Sequence, residues 1–308
     1  MKARIILIVA IWILFISILY SSQDELFLTR GEAGSSSAPF LNSQFDAYGV
    51  ATGGTIVSFG ETIESIFWNP AGLCMIKTSQ LSLSGAKFSF DRLFSSLSFA
   101  TPIGENMDKA IGFSLLCSYV GDITSYDEND RRGDDLYYMG NTFIFSYSAP
   151  LNMIKLGFNA KVVQELIEKT SAYGGAIDIG ILFTPPFPVQ LGISVKNSPG
   201  IIKWQNDQKV YKLNNSLQVA VSYKSLTGSF KTGVSFLKET GSDDVYVNIG
   251  GEISLTSFLD IRYGFLKGKF TGGVGLSLSF AKINYAFYNE SFFDVTEGSH
   301  LISTVFSF

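Results

Sequence analysis

Histidine is almost missing from this chain, which has one, His300, in 308 residues. That excludes most designs in which imidazole serves as acid, base, triad member or metal ligand, and a lone His near the end of a strand pattern reads as an interfacial residue. Cysteine is scarce too: Cys74 and Cys117 are the only two, with no metal or redox spacing. A single disulfide after export is one reading and two buried apolar thiols the other, and the thiols are the expectation. Charged residues make up 16 % of the chain, against about a quarter in ordinary soluble proteins. The net charge is −4 with no basic stripe, so no nucleic-acid partner is expected. No Gly-x-Ser-x-Gly elbow, P-loop or dinucleotide fingerprint occurs, so no enzyme activity, cofactor or metal is expected. The Asp127-Glu128-Asn129-Asp130 and Asp134-Asp135 clusters have no EF-hand spacing and read as a solvated loop. Past residue 22 no apolar run reaches the length of a membrane helix, which excludes a helical bundle in lipid.

What is abundant is glycine (30), phenylalanine (27) and tyrosine (14), in an order that divides the chain in three. Lys2 and Arg4 precede an apolar run from Ile5 to Tyr20 and a polar end at Ser21-Ser22-Gln23-Asp24, the layout of a secretory signal peptide over 1–22. From Gln80 to the end, 80–308, apolar residues recur with period two. Ile154, Leu156 and Phe158 alternate with Lys155, Gly157 and Asn159; Ile177, Ile179 and Ile181 with Asp178 and Gly180; Leu259, Ile261 and Tyr263 with Asp260 and Arg262. A soluble sandwich would show the same alternation. The export signal and a last strand with Ile302, Thr304, Phe306 and terminal Phe308 on one face favour a membrane barrel instead, because that ending resembles the assembly signal read by the barrel assembly machinery of outer membranes.

Strand-like spans are read at 80–90, 93–101, 109–120, 136–148, 153–165, 171–183, 188–197, 212–224, 228–237, 244–255, 258–266, 269–279, 281–289 and 299–308. That makes an all-β transmembrane antiparallel barrel of about fourteen strands, an even number as single-chain bacterial barrels require. With both termini on the inner side, the long polar connections Gly121–Asp135, Ser198–Tyr211 and Glu290–Gly298 all fall outside and mostly short turns fall inside. Tyr119, Tyr137, Tyr138, Tyr147, Tyr223, Tyr263, Tyr285 and Tyr288 lie near strand ends, where they suit interfacial girdles or simply follow the strand preference of tyrosine.

Between signal and strands, 23–79 has a different character and predicts a small helical, glycine-rich plug for the lumen. Gly53-Gly54 precede Thr55–Phe67, whose Ile56, Phe59, Ile63, Ile66 and Phe67 have amphipathic-helix spacing. Asn69 before Pro70 is driven from the helical region and suited to cap a short turn beginning at Pro70, and Gly72 admits close backbone contact. The positions Ala47, Gly49, Gly53, Gly54, Glu61, Trp68, Asn69, Pro70, Ala71, Gly72 and Leu73 resemble the N-terminal hatch of PorV/PorQ-type outer-membrane proteins, within the wider group similar to FadL, the long-chain fatty-acid transporter. Tyr48 and Val50 depart from that pattern, where the family has small residues or Met.

The resemblance implies an outer-membrane location in a Gram-negative-type envelope, contact with its lipid, and one of two roles. One is a passive channel for hydrophobic small molecules such as fatty acids; the other is a docking component for type IX secretion. For the first, Gly49–Gly60 would be the mobile element and the Asn69-Pro70 knuckle its anchor. On the inner face Lys155, Lys161, Lys196, Lys224, Lys231, Arg262 and Lys282 outnumber Asp178, Glu252 and Asp260. Those cations either guide an anionic head group or pair with the plug acids Asp46, Glu61 and Glu64, and the pairing is favoured because buried charges need partners. Against docking, the outer loops are modest in length and Trp204 is the only obvious sticky surface residue in them.

Overall fold

The computed structural model describes residues 38–43, 45–88, 92–126, 129–242, 244–292 and 295–308. The signal segment 1–22, the first residues of the plug region, and Asp127 and Glu128 lie outside the described residues. Strands run as β1 (Gln80–Phe88), β2 (Arg92–Ile103), β3 (Lys109–Tyr126), β4 (Arg132–Leu151), β5 (Ile154–Ile167), β6 (Thr170–Phe183), β7 (Val189–Lys196), β8 (Gly200–Trp204), β9 (Val210–Lys212), β10 (Ser216–Lys224), β11 (Phe230–Glu239), β12 (Val245–Ser254), β13 (Leu259–Leu266), β14 (Lys269–Ser277), β15 (Ala281–Phe292) and β16 (Val295–Ser307). Neighbours pair antiparallel and β1 closes on β16, giving a closed barrel of 14 strands.

The count stays at 14 because β7–β8 and β9–β10 are two interrupted strands of one hairpin. Val195 faces Ile179 and Gly200 faces Ala176, so β7–β8 uses five residues where β6 uses three. The surplus bulges out at Asn197-Ser198-Pro199, where Ser198 and Pro199 still exchange backbone hydrogen bonds with Ile177.

Polarity is inverted relative to a soluble domain. On β3, Ser114 is 1 % exposed and Leu115 53 %; on β12, Asn248 is 0 % exposed and Val247 49 %. Apolar side chains stand outward and polar ones inward around the wall, the arrangement that lipid outside and a filled polar lumen demand. On β16, Ile302, Thr304, Phe306 and Phe308 lie on the outward side, with Ser303 and Val305 inward.

Three connections expected as loops are strand. Residues Gly121–Tyr126 and Arg132–Asp135 continue β3 and β4, to 18 and 20 residues; Ser198–Tyr211 holds β8 and most of β9 around a turn; Glu290–Gly298 is largely β15 and β16. A strand needs about 9–11 residues to cross a bilayer. Past that length the apolar alternation stops while the backbone ladder continues, so the sequence pattern ends before the strand does. Trp204 is another correction. It is half-buried against the core as the last residue of β8 and offers no exposed anchor. Tyr138 and Tyr288 face inward as well, Tyr138 donating to Glu165 Oε1 at 2.7 Å and Tyr288 6 % exposed, and so take no part in a girdle.

The plug occupies the lumen as short pieces: a 3₁₀ turn (Pro39–Asn42), α1 (Ala47–Ala51), α2 (Ile56–Phe59), α3 (Ser65–Trp68) and a second 3₁₀ turn (Pro70–Met75). The single amphipathic helix expected over Thr55–Phe67 is interrupted at Gly60 and Glu61, both at positive φ (60° and 73°). Its apolar spacing reflected burial on all sides, since α2 and α3 are buried throughout.

Candidate functional site: the hatch and its seat

The two ends of the hatch motif meet in space. Asp46 is extended and caps α1, its Oδ1 accepting from the Gly49 amide at 2.6 Å, while Oδ2 accepts from Trp68 Nε1 at 2.5 Å. The indole lies where a side chain at position 49 would be: a Cβ there would stand 2.1 Å from Trp68 Nε1. Burial, and next the nearby Glu64 carboxylate, push Asp46 up to about 7, against the pull of its two N–H donors.

Asn69 is the hinge between α3 and the final turn. At φ −151° it caps that turn, its Oδ1 accepting from the Ala71 amide at 3.1 Å, with Pro70 at the first turn position. Its Nδ2 donates inward to Val57 O at 2.7 Å and outward to Ile181 O of β6 at 3.1 Å. One side chain thus ties two hatch segments to the wall. Gly72 is required by packing, because a Cβ would come within 2.7 Å of Gly60 Cα.

Inward positions of the wall facing the hatch backbone are repeatedly glycine. A Cβ at Gly180 would lie 2.1 Å from Asn69 Oδ1, at Gly157 2.3 Å from Ala71 N, at Gly192 2.1 Å from Val57 O and at Gly250 2.3 Å from Thr52 O. Gly273 sits against the Ala51 side chain, where a Cβ would come within 2.7 Å of Ala51 Cβ. Between the glycines, neutral side chains donate to hatch carbonyls: Ser148 to Ala71 O (3.0 Å), Asn159 to Ile66 O (2.9 Å) and Gln218 to Gly54 O (3.1 Å). These residues escaped the sequence reading, which weighed charges. A glycine or small polar residue on the inward parity of a strand was the available signal. Gly53 and Gly54, at φ 61° and 72°, turn the chain after α1, and Ala71 and Leu73 are fully buried in the last turn.

The charged wall residues expected on the inner face lie on inward positions, and most are paired. Glu61 receives Lys224 at 2.5 Å and Lys231 at 3.7 Å; Lys231 also reaches Glu252 at 3.5 Å. Arg262 binds Glu252 at 2.8 Å and Asp260 at 3.5 Å, and Lys282 binds Asp260 at 2.6 Å. This network lies near the inner turns and includes Glu61 as its one hatch member. Lys161 pairs separately with Asp178 at 2.8 Å, and Lys155 donates to Thr184 Oγ1. Two cations stand over hatch aromatics: Arg262, besides its ion pairs, is 4.5 Å from the Tyr48 ring centre, and Lys196 is 5.5 Å from that of Trp68. Both cysteines are free, Cys74 in the hatch and Cys117 on an outward position of β3.

At the outer end a seam separates hatch from wall. Phe45, Phe67, Trp68, Leu237 and Leu266 line it, with Lys196 and the Lys267–Glu239 ion pair (2.8 Å) at its edge, and it encloses about 20 Å³, scarcely one water. The path through the lumen is closed here.

No family model matches the chain, and no curated protein matches it in sequence. Solved structures do match in fold. The Ralstonia pickettii toluene transporter TbuX superposes with a TM-score of 0.61 at 14 % identity, over 86 % of this chain and 98 % of that one. A TodX monoaromatic hydrocarbon channel variant gives 0.64 at 12 %, over 86 % and 99 %, and a Pseudomonas aeruginosa FadL homologue 0.59 at 12 %, over 86 % and 99 %. In architecture, therefore, this barrel is of the FadL-like type.

Proposed function

We propose that the protein is a passive outer-membrane channel for hydrophobic small molecules, with residues 45–75 as its hatch and no chemistry of its own. The observation that carries this is the seat: a lumen closed by short helical pieces whose backbone lies against wall glycines and whose carbonyls accept from neutral wall side chains. Its outer seam is lined by aromatic and aliphatic groups with Lys196 at the edge, which suits an apolar molecule with or without an anionic end. Solved barrels of the same fold include a toluene transporter and a monoaromatic hydrocarbon channel, which favours this class of cargo. Against the docking role, Trp204 is half-buried rather than exposed.

The test is uptake. Cells bearing the barrel should accumulate labelled toluene or a long-chain fatty acid faster than cells lacking it, while entry of a sugar of similar size stays unchanged. Equal uptake of both apolar probes with and without the barrel would sink the proposal.

A further inference from the structure

The outside of a barrel is convex, yet a groove of about 860 Å³ crosses it over β16 and β1 to β6. Its floor follows one row of direct cross-strand partners, all on outward positions: Gly85, Ser95, Cys117, Asn141, Gln164 and Tyr173. The first three are small, and that creates the depression. The last three form a hydrogen-bonded ladder, Asn141 Nδ2 donating to Gln164 Oε1 at 3.4 Å and Gln164 Nε2 to Tyr173 Oη at 3.2 Å.

From β2 to β5 this row lies between two apolar ones, Leu97–Leu115–Phe143–Val162 on one side and Leu93–Tyr119–Met139–Leu166 on the other. Carboxamides facing hydrocarbon are costly, and in membranes they mark functional positions. Each keeps hydrogen-bonding capacity that the ladder does not use.

We propose that this groove is a binding site for a single phospholipid of the surrounding leaflet. Its acyl chains lie along the leucine row and its ester carbonyls accept from the Asn141 and Gln164 amides. The amide donors match ester acceptors, so the groove is complementary to an amphiphile rather than to bare hydrocarbon.

Cys117 provides the test, because it lines the groove and can be blocked after folding. The barrel, with Cys74→Ala to leave one thiol, is placed in nanodiscs of palmitoyl-oleoyl phosphatidylglycerol and released in native mass spectrometry. One lipid per barrel should survive activation that strips the annular lipids, and alkylation of Cys117 with a long-chain maleimide should reduce that population at least tenfold. Asn141→Leu with Gln164→Leu should weaken retention without closing the groove, and the same pair of changes at the outward Val247 and Phe265 should not. Retention unaffected by alkylation, or a second copy of the chain held in place of lipid, would overturn the proposal.

Discussion

Asp46 and Trp68, 22 residues apart in sequence, are joined by an indole–carboxylate hydrogen bond of 2.5 Å that closes the hatch on itself. Trp68→Phe keeps an aromatic ring and removes the donor. A hydrogen bond to a charged acceptor contributes about 1.5–3 kcal/mol. Protection of the Gly49 amide against hydrogen exchange should fall by a factor of that order while the wall amides keep theirs.

The same carboxyl makes the hatch sensitive to pH. Asp46 is held near 7 by burial and by Glu64, above its ordinary value of 3.8. Because the folded value is raised, its contribution to stability is complete below about 4 and lost as pH rises through 7. Hatch protection should therefore decline between pH 5 and 8, and Asp46→Asn should flatten that decline. A profile unchanged by the substitution would show that another group titrates.

Asn69→Ala deletes the cap of the last turn and both Nδ2 contacts, to Val57 and to Ile181. Liposomes carrying this variant should leak small solutes faster than those carrying the wild type. Unchanged leakage would reduce the knuckle to a folding turn.

Gly180→Val tests the seat. The added Cβ would fall 2.1 Å from Asn69 Oδ1, so the hatch must give way there while the outer surface of β6 is untouched. The variant should still assemble as a heat-modifiable barrel and should leak as Asn69→Ala does. Failure to assemble would mean that the hatch templates the wall.

Strand direction is open to labelling. A cysteine at Asp130, in the β3–β4 turn, should react with an impermeant reagent on intact cells, and one at Pro186, between β6 and β7, should not. The reverse would invert the barrel.

The wall was legible because lipid imposes a period-two code on every crossing strand, and Leu115 beside Ser114 shows it in a single step. The code fell silent where lipid ends, so the tops of β3, β4, β8, β9, β15 and β16 looked like loops. Inside, Asn69-Pro70 announced its turn through local chemistry. The seat did not, because Gly157 and Gly180 acquire meaning only when the chain segment opposite them is known. The charge excess of the inner face was visible, yet the partner that Glu61 supplies to Lys224 comes from 163 residues away in sequence.

Glycine against main chain is a contact with almost no memory of sequence. A wall that meets peptide groups at Gly157, Gly192 and Gly250 cannot tell one hatch residue from its neighbour by shape at those points. Register along that smooth track must then be set by a few side-chain pins, chiefly Asn69 and the Lys224–Glu61 pair. Hatch sequences are therefore free to diverge between the pins, whereas shortening or lengthening the segment between Glu61 and Asn69 by one residue would put both out of step together.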